Sequence, residues 1–331
     1  MTRVDGAGEV VAEQAAECDG PRAVMLESRE VPLGGVRAMS VHRSLPQREL
    51  PLVGAWCFLD RFGPQRTRMR VEPHPHIGLQ TVTWPFVGDV RHRDSVGSDV
   101  MVRRGALNLM TSGAGIAHSE YSDGEEATDL DALQLWVALP ESRRHGPPDF
   151  ERHEDLPTLR LPARIGEEGR ATVVLGRLGE VVSPASVYTP IVGAELQIPA
   201  GATVALPLEP AWEHALIAID GTASVDVRPA GDVDTVDLDD KRMLYLGTAR
   251  DHVTLSSASG ARLFLIGGAP FEDEIVMWWN FVGRAHEEIV EAREAWEARG
   301  ERFGEVVGHG DERIPAPPLP KVRLTRRRRR L

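Results

Sequence analysis

Short apolar runs separated by glycine, proline and charged residues recur along most of this chain. In Leu133–Val137 only Gln134 interrupts an apolar stretch, which is typical of a strand buried on at least one face. Many short strands at close spacing, with turn residues between them, indicate a β-sandwich or a β-barrel. The sequence therefore predicts an all-β fold, with comparable runs at Trp56–Leu59, Leu79–Pro85, Leu107–Met110, Ala194–Ile198, Thr203–Leu206 and Ala215–Ile219.

The apolar runs fall into two groups, with a charged, proline-containing stretch at Arg143–Glu154 between them. We place a domain boundary there, which gives an N-terminal domain at residues 25–145 and a C-terminal domain at residues 146–304. Residues 1–24 are small and acidic without periodicity, so we expect a flexible leader. Residues 305–331 form a Pro/Arg-rich tail, whose final arginines are expected to be solvated.

One segment near the C-terminus has the pattern of a helix. Ile289, Ala292 and Trp296 follow each other at positions i, i+3 and i+7, which gives an apolar stripe with helical spacing. Gly300 is placed to end such a helix. We predict a helix over Glu287–Arg299.

The composition excludes several classes of function. A formal net charge of −12 argues against a general nucleic-acid-binding surface and against binding to anionic membranes. Cys18 and Cys57 are the only cysteines, too few for a disulfide framework, which favours a reducing compartment. The N-terminus lacks the apolar core of a signal peptide, and no run approaches the roughly 18 apolar residues of a membrane span. We expect a cytoplasmic protein that does not enter membranes.

Two short sequence motifs contain the candidate functional residues. His74 and His76 are two positions apart, and so are His118 and Glu120. Residues two apart on a strand point to the same side, so two such strands in one barrel would bring three imidazoles and one carboxylate together. This donor set suits a divalent metal and leaves positions for water, substrate or O2. The alternative is that the histidines are solvated and that His118 and Glu120 form an ion pair.

A weak internal repeat relates the two halves of the chain. Aligning Gly88 with Gly221 superimposes two apolar strand–turn–strand phrases. The same offset places Pro207 and Glu209 at the positions of the first histidine pair, and only His252 stands near the later pair. The second half therefore has the pattern of the same barrel without its metal ligands.

Longer phrases around these residues resemble the pirin family of the cupin superfamily. The similarity lies in Pro73–Gly78, His92–Ser95, Met110–Glu120 and Leu133–Val137, and it extends over about Ser28 to Gly304. The resemblance implies a bicupin, in which two cupin (double-stranded β-helix or jelly-roll) barrels are followed by a C-terminal helix. It also implies a mononuclear iron in the N-terminal barrel and a C-terminal barrel without metal.

The pirin family pattern places three histidines and one glutamate on the metal, and these correspond to His74, His76, His118 and Glu120. Fe(II) is the metal that the resemblance favours, with Zn, Mn, Ni, Co and Cu as alternatives. Other cupins have a further carboxylate shortly after the His-x-His phrase, where this chain has Gln80. Glu120 is therefore the expected acidic ligand.

The resemblance leaves three functions open. Some bacterial members are quercetin 2,3-dioxygenases, so the first hypothesis is an enzyme that cleaves a small polyphenol with O2 and releases carbon monoxide, with Glu120 as ligand and proton acceptor. The second is an iron-dependent redox sensor that binds a protein partner around Arg91–Asp94, because animal members modulate transcription factors. The third is a zinc-dependent isomerase. We favour the first.

Two other stretches have both a functional and a structural interpretation. Gln134 and Trp136 share one side of a strand and could line the site, although a buried tryptophan belongs more often to a core. Arg91–Asp94 could contact a partner, but a solvated hairpin is the simpler prediction for four polar residues beside a turn.

Overall fold

The structure, a computed structural model, describes residues 20–33, 39–122, 124–230, 234–326 and 330. It contains two β-barrels, each built from two facing sheets, and one α-helix near the C-terminal end. The predicted all-β fold, with two jelly-roll barrels and a C-terminal helix, is confirmed. Most of the predicted leader and the tail arginines 327–329 lie outside the described residues.

The first twelve strands, in chain order, are β1 (Pro21–Glu27), β2 (Arg29–Leu33), β3 (Met39–Leu45), β4 (Trp56–Thr67), β5 (Arg70–His76), β6 (Leu79–Val87), β7 (Val90–Asp94), β8 (Asp99–Val102), β9 (Leu107–Thr111), β10 (Ile116–Ser122), β11 (Thr128–Ala138) and β12 (Asp149–His153). The first barrel has a larger sheet in the order β12-β9-β6-β11-β4-β3-β2 and a smaller sheet in the order β5-β10-β7-β8. The interior of this barrel lies between the two sheets.

The remaining strands are β13 (Thr158–Leu161), β14 (Ala163–Ile165), β15 (Gly169–Leu178), β16 (Val181–Val182), β17 (Ile191–Ile198), β18 (Ala202–Pro207), β19 (Glu213–Gly221), β20 (Ala223–Asp226), β21 (Thr235–Leu238), β22 (Arg242–Gly247), β23 (His252–Ser257), β24 (Ala261–Gly268), β25 (Val276–Trp278) and β26 (Phe281–Gly283). The larger sheet of the second barrel has the order β1-β22-β19-β24-β17-β15-β13, with β16 paired to β15. The smaller sheet has the order β14-β18-β23-β20-β21, and β25 pairs with β26.

Two strands cross the sequence division between the halves. β1, from the N-terminal end, pairs antiparallel with β22 of the second barrel. β12, which follows the predicted boundary, pairs antiparallel with β9 of the first barrel. The two barrels are thus tied together by backbone hydrogen bonds at both ends, and the domain limits drawn from the sequence stay a prediction.

The larger sheets of the two barrels pack against each other. Trp84 and Leu135 from the first barrel and Ile217 and Phe264 from the second belong to one buried apolar cluster. Burying such side chains contributes about 1.5–3 kcal/mol each. The indole N–H of Trp56 also crosses the interface and donates to the carbonyl oxygen of Val192 at 3.0 Å. The interface is therefore a shared core.

The interior of the second barrel is filled with aliphatic side chains. These side chains form one buried apolar cluster, whose fully buried members include Leu196, Val204, Leu255 and Leu263. The alternation of side chains along the strands explains the arrangement, because every second residue of β17 and β18 points inward and is apolar, as do Val253 and Leu255 of β23.

Each barrel has, at the equivalent position, a turn that requires glycine. Gly88 after β6 has φ +82°, and Gly221 at the end of β19 has φ +71°. A Cβ atom on Gly88 would lie 2.3 Å from the carbonyl oxygen of Asp129, and one on Gly221 would lie 2.3 Å from that of Gly260. Equivalent turns with equivalent backbone contacts support the internal repeat that the sequence indicates.

The helix α1 spans His286–Glu297, so it begins one residue earlier and ends two residues earlier than predicted. Its predicted apolar stripe, Ile289, Ala292 and Trp296, is buried. Within the described ranges, no helix is long and apolar enough to cross a membrane.

The helix packs against the first barrel, and after a 3-10 turn at Glu301–Phe303 the chain continues along the same barrel. The backbone N–H of Ile314 donates to the carbonyl oxygen of Pro73 at 2.9 Å, beside β5. Trp296 of α1 donates its indole N–H to the carbonyl oxygen of Ile314 at 2.9 Å. The described part of the tail is therefore packed between the helix and the smaller sheet of the first barrel.

Candidate metal centre

The two phrases that carry the predicted ligands lie on neighbouring strands of the smaller sheet in the first barrel. β5 and β10 pair antiparallel, and their register places His118 opposite His74. β5 forms the edge of this sheet, where Pro75, which lacks a backbone N–H, is tolerated. The structure confirms that the side chains of His74, His76 and His118 meet in one group.

The three imidazoles are close enough to share one ion. One ring nitrogen from each lies within 4.8 Å of the others, and the Nε2 atoms of His76 and His118 are 3.0 Å apart. The Nδ1–H of His74 donates to the carbonyl oxygen of Glu72 at 2.9 Å, which leaves Nε2 with a free lone pair. The relative exposures of His74, His76 and His118 are 7%, 1% and 1%.

Burial keeps these rings uncharged. It lowers the pKa of His74 to about 4, and it lowers the pKa of His76 and of His118 well below the ordinary value, with repulsion among the rings adding to the effect. Neutral imidazole is the form that binds a metal. The donor set therefore fits a divalent transition metal and leaves positions for a fourth ligand, water or substrate.

Glu120 lies on β10 two residues after His118, and its side chain is buried. Burial raises the pKa of the Glu120 carboxyl, and the nearby His92 ring and the Thr83 hydroxyl offset only part of this increase. The pairing between β5 and β10 shifts register between His118 and Glu120. The close group of ring nitrogens comprises the three histidines, and Glu120 as a fourth ligand stays a prediction.

A second layer behind the triad was missed from the sequence. His92 and Asp94 on β7 are buried, so the prediction of a solvated hairpin is wrong for these two residues. Nδ1 of His92 lies 3.3 Å from Nδ1 of His118, and its Nε2 lies 3.0 Å from a carboxylate oxygen of Asp94. The other oxygen of Asp94 accepts from the backbone N–H of Ser98 at 2.9 Å, which fixes the carboxylate.

Although burial alone would raise it, hydrogen bonds from His92 and Ser98 lower the pKa of Asp94. Asp94 is therefore ionised at neutral pH and orients the His92 ring toward His118. The sequence signal that could have identified these two residues is the alternation of side chains along β7. Arg91 points outward, whereas His92 and Asp94 point inward.

Aromatic side chains of the larger sheet face the histidines. Trp136 stacks on Phe58 with ring centroids 4.0 Å apart and meets the edge of His76 at 5.2 Å. Phe150 of β12 stacks on His92 at 4.7 Å. Trp136 therefore lies beside the site, as the alternative interpretation of its strand expected, and these rings exclude water from the triad.

Gln80 takes no part in the triad. Its amide N–H donates to the hydroxyl of Thr111 at 3.0 Å and to the carbonyl oxygen of Ser186 at 3.2 Å, which places it toward the second barrel. Gln134, by contrast, accepts from the hydroxyl of Thr83 at 3.0 Å, and Thr83 in turn neighbours Glu120. Gln134 therefore belongs to the wall that faces the site.

The C-terminal segment braces the outer side of the metal-bearing strand. His309 is buried, with Nε2 at 2.9 Å from the hydroxyl of Ser119 and Nδ1 at 3.0 Å from the hydroxyl of Tyr121. Ser119 lies between His118 and Glu120 on β10. Sequence analysis missed His309 because 190 positions separate it from Ser119.

A second group of possible ligands lies at this outer contact. Glu72, His309 and Glu312 each offer an atom within 4.8 Å of the others. Arg70 already forms ion pairs with both carboxylates, at 2.7 Å to Glu72 and 2.7 Å to Glu312. The guanidinium neutralises the charge that a cation would need, so this group serves as an ion-pair network.

Comparison with known families covers most of the chain. The Pirin family matches residues 37–137, and the Pirin C-terminal cupin domain matches residues 193–304. The chain belongs to the pirin family. All three histidines of the triad and Glu120 fall within the first matched segment.

Relatives of this pirin-family protein align over nearly its whole length. A Pseudomonas aeruginosa protein named "Putative quercetin 2,3-dioxygenase PA1205" is 41% identical over 298 residues, which cover 88% of this chain and 89% of the relative. A pirin-like protein of Caulobacter vibrioides is 32% identical over 302 residues, with coverage of 89% and 99%. A crystal structure of quercetin 2,3-dioxygenase from Acinetobacter baumannii has a TM-score of 0.81 and 37% identity, and covers 91% of this chain and 96% of that one.

The second barrel of this pirin-family protein has counterpart positions for the ligands. β18 pairs with β23 as β5 pairs with β10, and the register places Pro207 opposite His252. The side chain of His252 is 48% exposed and lies 2.6 Å from Asp251, whereas Glu209 forms a 3.0 Å ion pair with Arg177. A proline, a paired glutamate and an exposed imidazole thus occupy the counterpart positions of the buried ligands.

Proposed function

We propose that this pirin-family protein is an iron-dependent dioxygenase that cleaves quercetin-type flavonols with O2. The observation that carries the proposal is the buried, neutral triad of His74, His76 and His118 in the first barrel. Similar proteins named as quercetin 2,3-dioxygenases support the reaction class. Three imidazoles leave enough of an octahedral shell for a carboxylate, a substrate oxygen and O2.

Fe(II), when bound, would supply open coordination positions and the one-electron chemistry that activates O2. We propose Glu120 as the fourth ligand, because it is buried and follows His118 at the spacing that returns a strand to the same side. A carboxylate would also offset part of the charge of a divalent ion in this buried site. Zn, Mn, Ni, Co and Cu accept the same donors, so the choice of iron is part of the proposal.

Glu120 would also take the proton from the 3-hydroxyl of the flavonol. Its buried carboxylate is more basic than an exposed one, because burial disfavours the charged form and raises the pKa. The aromatic pair of Phe58 and Trp136, which are 7% and 6% exposed, would keep water away from the substrate oxygen. The residues of this chain therefore provide deprotonation, orientation and a dry environment.

Oxygen uptake by protein purified without oxygen and loaded with Fe(II) tests the proposal. We expect quercetin to be consumed with matching O2 uptake and carbon monoxide release. Glu120→Gln should lower turnover by about 10²–10⁴-fold, the usual contribution of a general base. Glu209→Gln makes the same chemical change in the second barrel, at the position that corresponds to His76, and as a control it should leave turnover unchanged. Wild-type iron protein that turns over no quercetin would contradict the proposal.

A second candidate function is iron-dependent binding of a protein partner. One observation favours it: β7 carries His92, which contacts His118, while Arg91 on the opposite side is exposed and paired with Asp99 at 2.6 Å. A change of iron oxidation state would then alter the conformation of the exposed β7–β8 hairpin through the contact between His118 and His92. Hydrogen exchange that differs between the Fe(II) and Fe(III) forms at this hairpin would support the regulator; identical exchange would exclude it.

A further inference from the structure

A row of polar side chains crosses the inner face of the larger sheet in the first barrel. Directly paired residues on neighbouring strands point to the same side, and the registers of six strands join in one line. The row consists of Arg43, Asp60, Gln134, Thr83, Asn108 and Arg152. The side chains of Gln134 and Thr83 contact the site, so the whole row faces the barrel interior.

Most members of this row satisfy one another. Arg43 donates twice to the buried carboxylate of Asp60, at 2.8 and 2.7 Å, and Thr83 donates to Gln134 at 3.0 Å. Asn108 is different. Its side chain is 2% exposed, and among the described residues neither its amide oxygen nor its amide nitrogen has a hydrogen-bond partner.

The next member of the row continues this pattern. The Nε–H of Arg152, directly opposite Asn108 on β12, is buried and also lacks a partner within the described chain. Its guanidinium is held in place because another nitrogen donates to Glu154 at 2.5 Å. Two donors and one acceptor therefore face the interior side by side. Burying such groups without hydrogen-bond partners costs free energy, so a ligand that supplies the missing hydrogen bonds gains affinity.

A parallel row, two residues further along the strands, is apolar except for Thr81. It contains Phe58, Trp136, Thr81, Met110 and Phe150, and it holds the rings that contact His76 and His92. An aromatic ring lying on this strip would present its oxygen substituents to the polar row. The interior thus combines a flat apolar surface with a line of hydrogen-bonding groups.

We propose that Asn108, with Arg152 beside it, is a specificity-determining subsite that binds a hydroxyl or carbonyl oxygen of a polyphenol, other than the oxygen held at the triad. This inference rests on the proposed function and deepens it, because it selects hydroxylated ring systems over bare ones. The amide of Asn108 donates to and accepts from a phenolic hydroxyl, and the Nε–H of Arg152 donates to the same oxygen or its neighbour.

Anaerobic calorimetric titration of the Fe(II)-loaded protein with two flavonols tests the subsite without turnover. Quercetin carries ring hydroxyls that 3-hydroxyflavone lacks, and both keep the 3-hydroxyl and the 4-carbonyl. We expect wild-type protein to bind quercetin at least about tenfold more tightly, and Asn108→Leu to bind the two compounds equally. Asn108→Leu should also keep or raise the thermal midpoint, because it removes an unpaired buried amide.

Arg152→Leu, at a partly exposed position, provides a second variant in case Asn108→Leu does not fold, and it should reduce the preference for quercetin. Preference retained in the variants, or wild-type protein that binds neither flavonol, would overturn the subsite. If quercetin binds more tightly than 3-hydroxyflavone and this preference depends on Asn108, but no O2 is taken up, the proposed dioxygenase activity is contradicted while the subsite is supported. The two failures are therefore distinguishable.

Discussion

The two barrels share a fold but fill their interiors differently. The first barrel holds His74, His76 and His118 within 4.8 Å of one another and a polar row on the facing sheet. The second barrel is packed with aliphatic side chains such as Leu196 and Leu255. Because the strand pairing is equivalent, the difference lies in which residues occupy the inward positions.

The first barrel can have a polar interior because the second barrel and the interface between them supply apolar packing. The polar interior of the first barrel buries groups that cost free energy when they are unpaired. The shared core between the larger sheets, with Trp84 and Phe264 among its members, and the aliphatic interior of the second barrel offset that cost. The second barrel therefore acts as a scaffold that keeps the site of the first in place.

The largest expected effect comes from breaking the triad. His118→Ala should abolish metal retention and O2 uptake, because it removes one of three imidazoles that meet at one point. His252→Ala, the exposed counterpart on β23, should change neither. Metal content per chain and oxygen uptake should be measured for both variants. Equal loss of metal in the two would contradict the assignment of the metal site to the first barrel alone.

The next effect concerns the scaffold. Leu196→Ala in the second barrel should lower the free energy of unfolding by about 2–5 kcal/mol, because it leaves a cavity in a fully buried aliphatic core. Metal content of the folded protein should stay at the wild-type level. Urea unfolding followed by metal analysis tests this, and a folded variant that has lost its metal would show that the second barrel does more than support the first.

A third prediction concerns the pH dependence of stability that arises in the second barrel. His214 on β19 lies on the same side of the strand as Leu216 and Ala218, which face the interior of the second barrel, and burial lowers its pKa to about 4. The unfolded chain binds this proton near pH 6.5, so the stability contribution is complete above that pH and is lost as the pH falls toward 4.

His214→Leu should therefore reduce the loss of stability between pH 7 and pH 4 by about 3 kcal/mol, since one pKa unit corresponds to 1.36 kcal/mol. Urea unfolding at several pH values, without metal, gives the slope. Parallel curves for wild type and variant would mean that His214 does not sense acid.

The smallest effect concerns the second layer of the triad. His92→Phe keeps a ring against Phe150 but removes the contacts with His118 and Asp94. Loss of such a partner lowers metal affinity or activity by about 10–100-fold. Metal titration with a competing chelator measures it, with Arg91→Ala on the exposed side of the same strand as control. An affinity within twofold of wild type would show that Asp94 and His92 do not orient the triad.

Much of the fold followed from local patterns. Apolar runs predicted the strands, the stripe of Ile289, Ala292 and Trp296 predicted the helix, and the i, i+2 spacing predicted that the histidines share a side. These properties depend on neighbours within a few residues. The family resemblance then predicted the two barrels and the identity of the candidate ligands.

The parts that were missed depend on contacts that are distant in sequence. Whether His92 faces solvent depends on which side of β7 packs against β12, and His309 reaches Ser119 only because the C-terminal segment folds back against β10. The unpaired state of Asn108 depends on the register of three strands. No local pattern carries this information, because tertiary packing decides it.

X-ray absorption at the iron edge of the Fe(II)-loaded protein tests the central claim most directly, since it reports the ligands of the metal itself. We predict nitrogen and oxygen scatterers bound directly to the iron and the more distant scattering of three imidazole rings in the wild type. The spectrum of His76→Ala should show two imidazole rings. A spectrum without imidazole scattering, or one unchanged in His76→Ala, would contradict a metal centre built on His74, His76 and His118.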